Sequence, residues 1–132
     1  MPKVSSWELD KKTEGELIGQ LWDAFSLLKN KTEVIDFLKA ILTPTETLML
    51  AKRIELAKLH QEEIEITTIT KALHITRTTA YRWKDRYIMR EKEFDNVIMK
   101  LKRLDKDKYN SRQKAERQRA KNQSLPRVRK FS

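Results

Sequence analysis

The fold is decided by residues 67–87, which read TTITKALHITRTTAYRWKDRY. Apolar residues recur at helical spacing over residues 67–73 and again over residues 76–87. Each of the two ranges begins with a threonine, a residue type that caps helix N-termini. Only residues 74–75 remain to connect them. The stretch therefore predicts two short helices joined by a tight turn, which is a helix-turn-helix.

The two helices have apolar or small side chains where they would touch each other. These inward residues are Ile69, Leu73, Ile75, Ala80 and Trp83. The turn between the helices often needs a left-handed backbone, which Gly adopts most easily. His74 occupies that position here, and His adopts this conformation less readily than Gly does.

The outward face of the second helix carries cations and hydroxyls. Four residues are expected to contact base edges in the major groove: Arg77, Thr78, Tyr81 and Arg82. Four others are expected to contact phosphates: Thr76, Thr79, Lys84 and Arg86. Only Asp85 opposes this positive charge. The helical periodicity by itself would equally fit two packed helices with a charged outer surface, so the charge and the hydroxyls carry the prediction.

The rest of the chain predicts an all-α protein of six helices. Apolar periodicity begins at Glu16, and Thr32 is the expected cap of the second helix. Residues 43–46, Thr-Pro-Thr-Glu, predict a capping box at the start of the third helix. The expected inward residues of that helix are Leu48, Met49, Ala51, Ile54 or Leu50, Ala57 and Leu59. A last amphipathic stretch contains Phe94, Val97, Ile98, Leu101 and Leu104.

The positive charge is concentrated near the C-terminus. The 132 residues hold 29 Lys and Arg against 19 Asp and Glu. Residues 1–101 hold 17 basic and 16 acidic residues, whereas residues 102–132 hold 12 and 3. The predicted organisation is a flexible N-terminus (1–14), a helical domain (15–105) and a basic, largely disordered tail (106–132), in which any helix ends by Lys121. Such a tail favours polyanions without sequence preference.

The composition argues against an enzyme. Cysteine is absent, and the two histidines, His60 and His74, have no metal-ligand spacing to other residues. The acidic residues Glu62, Glu63 and Glu65 lack an accompanying calcium-type loop, and no Gly-rich phosphate loop is present. We expect no catalytic residue, no metal and no cofactor. With neither a signal peptide nor a long apolar run, a soluble intracellular protein is expected.

Three stretches together resemble the Trp repressor superfamily, especially its small Trp repressor-like regulators. They are LTPTE at residues 42–46, LAKRIELAKL at residues 50–59 and the helix-turn-helix. Residues 21–29 and 37–42 also fit, so the resemblance covers about residues 15–90. It implies an intertwined homodimer that places one recognition helix of each subunit in a major groove.

The resemblance also raises the question of a tryptophan corepressor. In the tryptophan-responsive family member two arginines enclose the indole ring, and Arg53 and Arg82 occupy the matching places. The residue after the second arginine is small in that repressor, whereas here it is Trp83. Because this indole would block or fill the pocket, the prediction is DNA binding without a small-molecule corepressor.

The predicted function is therefore that of a dimeric transcriptional regulator, a repressor that binds specific duplex DNA in the cytoplasm and is associated with the nucleoid. The alternative is an RNA- or DNA-binding or ribosome-associated protein without sequence specificity, driven by the basic tail. A third hypothesis is a protein-interaction adaptor that uses Trp22, Phe25 and Phe37. Ordinary core or dimer packing explains those aromatic residues better.

Overall fold

The structure is a computed structural model that describes residues 8–124. Those residues form six α-helices and no strand, which confirms the all-α prediction. The helices are α1 (Lys11–Ser26), α2 (Lys31–Ile41), α3 (Pro44–Gln61), α4 (Ile66–Leu73), α5 (Arg77–Met89) and α6 (Glu91–Ser124). The chain divides into two compact units, residues 1–49 and residues 50–132. Within the described residues, no helix has the length and apolar character that crossing a membrane requires.

Helix α1 starts earlier than the sequence predicted. The Asp10 carboxylate accepts a hydrogen bond of 2.7 Å from the backbone N–H of Thr13, which caps a helix that begins at Lys11. The pKa of Asp10 is lowered by this interaction with Thr13. Residues 11–14 are therefore helical, and the prediction that they are flexible is wrong. The remainder of that predicted segment, residues 1–7, lies outside the described residues.

Helix α2 is capped by Asn30 and not, as predicted, by Thr32. The Asn30 side chain accepts from the backbone N–H of Glu33 at 2.9 Å, and the Glu33 carboxylate accepts from the backbone N–H of Lys29 at 2.6 Å. Two backbone donors that the helix leaves free are satisfied in this way. Neither α1 nor α2 contains a buried residue, although both carry the predicted apolar periodicity.

Helix α3 begins with the predicted capping box. The backbone N–H of Glu46 donates to the Thr43 hydroxyl at 3.1 Å, and the backbone N–H of Thr43 donates to the Glu46 carboxylate at 2.8 Å. The buried residues of α3 are Leu56 and Ala57. Of the predicted inward residues, Ala57 is buried and Leu59 is half-buried. The others are exposed in this chain: Leu48, Met49, Leu50, Ala51 and Ile54. The α3 face that contacts α4 and α5 is therefore centred on Leu56.

The connection between α3 and α4 is a tight helix end formed without glycine. Glu63 has a left-handed backbone with φ 61°, and the N–H of Ile64 reaches back to the carbonyl of Leu59 at 3.0 Å. Helix α4 then starts at Ile66, with Glu65 as its N-cap residue and no side-chain capping bond. The prediction that Thr67 caps α4 is wrong, because Ile66 already packs on the core from within the first turn.

The helix-turn-helix is formed by α4 and α5 as predicted. His74 between them has φ 53° and ψ 53°, the left-handed conformation that the turn needs. The core of this part of the chain contains Leu56, Ile69, Ala80 and Trp83, with Leu73 and Ile75 packed against it. All the predicted inward residues of the motif therefore contribute to this core.

A second, smaller core joins α3, α5 and α6. Ala57, Tyr87 and Ile98 are buried there, and Phe94 packs against them. Val97 and Leu104, which the sequence also placed on the inward face of the last helix, are about half exposed, at 50% and 48%. Helix α6 is thus packed on this core through Phe94 and Ile98, near its N-terminal end.

Beyond this core, α6 continues as a helix to Ser124. Residues 106–124 are therefore helical, so the helix that the sequence allowed as far as Lys121 forms and continues three residues further. Their lack of apolar residues prevents burial, but Lys, Arg, Gln, Ala and Glu all favour helix. The remaining tail residues, 125–132, lie outside the described residues.

Candidate nucleic-acid interface

The N-terminus of α5 is organised by Thr76 and Thr79. The backbone N–H of Thr79 donates to the Thr76 hydroxyl at 3.1 Å, which is the predicted cap. The Thr76 hydroxyl in turn donates to the Thr79 hydroxyl at 3.0 Å. The remaining free amides of the first turn, near Arg77 and Thr78, point out of the helix end. A helix N-terminus with free amides attracts anions such as phosphates.

The two sides of α5 differ completely in burial. Ala80, Trp83 and Tyr87 are buried and fix the helix to the two cores. On the other side the four residues predicted to contact bases are all exposed: Arg77, Thr78, Tyr81 and Arg82. Packing therefore positions α5 without using any of these four side chains, which leaves them available to a partner.

Arg77 is held by the first helix of the motif. Its Nη2 donates to the hydroxyl of Thr67 at 3.0 Å. A guanidinium has five N–H donors, so this bond leaves others available for a base or a phosphate. This role of Thr67 is not evident from the sequence. A threonine ten residues before an arginine gives no periodic signal that the two will meet.

The cations predicted to contact phosphates occupy different surroundings. Arg86 is exposed and Lys84 is half-buried. Within residues 8–124, neither side chain nor that of Arg82 forms an ion pair with an acidic residue. Their positive charges are therefore not neutralised by neighbouring carboxylates, as a phosphate-binding surface requires.

The residues considered for a corepressor pocket are arranged around Trp83. Its side chain is 7% exposed and packs in the core, and the guanidinium carbon of Arg53 lies 5.4 Å from the centre of its ring. This is a cation–π contact. Arg53 and Trp83 therefore contact each other, whereas Arg82 projects from the exposed side of α5. A cavity of about 620 Å³ lies elsewhere, beside Tyr81, Lys84 and the α3–α4 connection.

A polar network that the sequence did not reveal fixes α6 against α3 and α5. The Tyr87 hydroxyl donates to the Asp95 carboxylate at 2.7 Å, and the Gln61 amide donates to the same oxygen at 2.9 Å. Lys102 donates to the Gln61 side-chain oxygen at 2.8 Å. Burial, reinforced by the Asp95 carboxylate, raises the pKa of Tyr87 well above its usual range. The tyrosine therefore stays protonated and keeps its donor.

Comparison with known proteins supports the helix-turn-helix motif. Residues 50–93 match the model of the homeodomain-like domain family. These residues are similar to a homeodomain-like helix-turn-helix domain. The match runs from α3 into the start of α6 and covers a third of the chain. The matched family is a broader class of helix-turn-helix domain than the Trp repressor superfamily. No curated protein and no solved structure gave a significant match.

Proposed function

We propose that the protein binds specific sequences of duplex DNA by placing α5 in the major groove. The observation that carries this proposal is that α5 is buried on one side only. Its inner side is fixed in the cores, while Arg77, Thr78, Tyr81 and Arg82 are exposed together on the other side. Arg bonds a guanine edge with two donors, and Thr contacts a thymine methyl group. The homeodomain-like match at residues 50–93 supports a DNA partner.

The proposed phosphate contacts surround this surface. Thr76 and Thr79 lie at the α5 N-terminus, and Lys84 and Arg86 lie toward its C-terminal half. Contacts of this kind fix the register of a protein on the duplex and carry no sequence information themselves. Substituting one of them should weaken binding to all duplexes alike.

We also propose that the DNA-binding form is a homodimer. Helices α1 and α2 have no buried residue, and large apolar side chains are exposed along them, including Leu17 (51%), Trp22 (63%) and Ile41 (46%). An apolar surface of this extent is typical of a subunit interface. The Trp repressor resemblance implies the same assembly, and it is also the basis for proposing repression of transcription on cytoplasmic, nucleoid DNA.

Sedimentation of a surface variant tests the homodimer. Trp22→Asp places a charge at the most exposed large hydrophobic residue of α1 and leaves both cores untouched. We expect a dimeric wild-type protein and a monomeric variant at micromolar concentration, because an unpaired charge in an apolar interface is costly. The control is Glu14→Gln, a substitution of an exposed polar residue in the first turn of the same helix, which should not change the assembly. A monomeric wild-type protein would contradict the proposal.

Binding without a tryptophan corepressor is proposed from the state of Trp83. Its indole is packed in the core and covered by Arg53, so it occupies space that a free indole would need. Isothermal titration calorimetry with tryptophan should show no binding up to millimolar concentration. A dissociation constant in the micromolar range would contradict this part of the proposal.

Selection from a random pool of duplex DNA at about 150 mM salt tests the proposed function. A dimeric helix-turn-helix should enrich a two-fold-symmetric motif with half-sites about one helical turn, roughly 34–36 Å, apart. The basic C-terminal half of α6 favours the second candidate function, nucleic-acid binding without sequence specificity. Binding with no enriched motif would support that candidate and contradict the first.

A further inference from the structure

The C-terminal part of α6, residues 102–124, extends the DNA-binding domain as a basic arm. Its residues 102–123 are exposed, apart from the half-buried Gln113, and none of them belongs to either core. The base of the arm is nevertheless fixed. Ile98 is buried, Asp95 bonds Tyr87, and Lys102 bonds Gln61. The arm therefore leaves the domain in a direction that α3 and α5 determine.

The basic residues of the arm are separated into two faces. At about 100° per residue, five of them fall within an arc of about 80° on one side of the helix: Arg103, which has Asp107 four residues on, and four others. We name these four residues the arm stripe: Lys106, Lys114, Arg117 and Lys121. Another three fall within about 40° on the opposite side: Lys108, Arg112 and Arg119. The stripe runs over 16 residues, a rise of about 22 Å at 1.5 Å per residue.

The acidic residues of the arm lie at ion-pair spacing, three or four positions, from the opposite set and from Arg103. On the opposite side, Asp105 is three residues from Lys108, and Glu116 is three residues from Arg119 and four from Arg112. Lys106, Lys114 and Arg117 have no acidic residue three or four positions away. Lys106, Lys114 and Arg117 therefore form a positive surface without a carboxylate at ion-pair spacing along the helix.

We infer that the arm stripe binds the phosphate backbone of duplex DNA next to the sequence that α5 contacts. This inference rests on the proposed function of α5. A row of cations of this length can contact several phosphates of a nucleic-acid backbone and gains affinity by releasing counterions. Duplex DNA is the partner because the arm and α5 belong to one compact unit, and a duplex in contact with α5 continues past the domain.

The test compares two triple variants of the full chain that lose the same charge. The stripe variant is Lys106→Gln, Lys114→Gln, Arg117→Gln, and the matched control is Lys108→Gln, Arg112→Gln, Arg119→Gln. Fluorescence anisotropy measures binding to a 40-base-pair duplex with the selected motif at its centre, or with mixed sequence if no motif is selected. The wild-type protein and both variants are measured from 50 to 300 mM salt, after circular dichroism at 222 nm has verified that their helix contents are equal.

We expect the stripe variant to lose at least about tenfold in affinity at 150 mM salt, and the control less than about threefold. The slope of log K against log salt should become shallower by about 2.7 for the stripe variant, since each lost phosphate contact removes about 0.9. Equal losses in both variants would overturn the inference, because net charge alone would then explain them. An equal loss by the stripe variant on a 40-nucleotide single-stranded RNA would overturn the choice of duplex DNA.

The same series separates this inference from the proposed function. The stripe variant should retain the wild-type preference for the selected motif over a scrambled duplex, because the stripe contacts only phosphates. A wild-type protein with no such preference would contradict the function proposed for α5. The comparison of the stripe variant with its control would still decide whether the arm binds the duplex.

Discussion

Residues 8–49 and residues 50–98 have similar helical periodicity but opposite burial. All seven buried hydrophobic residues of the described chain lie between Leu56 and Ile98, and α1 and α2 have none. Two tryptophans illustrate the difference, since Trp22 is 63% exposed and Trp83 only 7%. Periodicity of apolar residues thus predicts that a helix has an apolar face, but it does not identify what covers that face.

The largest effect on stability is expected from substituting the buried tryptophan, and the same substitution of the exposed tryptophan is the comparison. Trp83→Ala leaves a cavity in the core around Leu56 and Ile69, and losses of about 3–5 kcal/mol in the free energy of unfolding are typical of such changes. Chemical denaturation measures this loss of stability, at a protein concentration low enough for the protein to be monomeric. Trp22→Ala should cost less than about 1 kcal/mol there, as exposed substitutions do. Equal losses would show that the two units do not differ as described.

A smaller effect is expected in the second core. Tyr87→Phe removes the hydroxyl that donates to Asp95 and should lower the free energy of unfolding by about 1 kcal/mol, with Tyr109→Phe on the exposed arm as the neutral control. The raised pKa adds a pH dependence. The unfolded chain loses the tyrosine proton near pH 10 and the folded protein only above that, so stability conferred by Tyr87 is present below pH 10 and lost as the pH rises further.

Denaturation at pH 8 and at pH 11 therefore tests both statements. The wild-type protein should lose more stability over this interval than Tyr87→Phe does. If the two proteins lose the same amount, Tyr87 is not protected from ionisation in the fold, and the network with Asp95 and Gln61 contributes less than its geometry indicates.

The smallest effect concerns the two left-handed residues that end α3 and α4. His74 has φ 53° and Glu63 has φ 61°, a conformation that costs a residue with a side chain about 1–2 kcal/mol. Gly avoids that cost but increases the entropy of the unfolded chain. We expect His74→Gly and Glu63→Gly each to stabilise the domain by roughly 0.5–1 kcal/mol in thermal denaturation. A loss of stability would mean that the replaced side chain makes a contact that the fold needs.

Much of the helix-turn-helix was predictable because its signals are local. The cap at Thr76, the capping box at Thr43 and Glu46 and the inward residues Ala80 and Trp83 all depend on positions a few residues apart. The predicted start of α4 was wrong because a tertiary contact determines where this helix begins. Ile66 packs on the core, so the helix begins before Thr67.

The candidate site was predictable in its surface but not in its internal contacts. Exposure of Arg82 follows from the burial of Trp83 beside it on the helix. The contacts of Arg77 with Thr67 and of Arg53 with Trp83 join different helices, and no spacing in the sequence encodes them. The length of the helical arm was harder to predict, because a shortage of apolar residues favours disorder although the residue types of the arm favour helix.

The contribution of Arg82 to sequence specificity tests whether α5 contacts bases. Its quantity is the ratio of the dissociation constants for a scrambled duplex and for the duplex enriched by selection, at 150 mM salt. If α5 contacts bases, Arg82→Ala should reduce this ratio by an amount equivalent to about 1–3 kcal/mol, whereas Arg86→Ala should weaken both duplexes alike and leave the ratio unchanged. A ratio that Arg82→Ala leaves at the wild-type value would contradict base contact by Arg82 through α5.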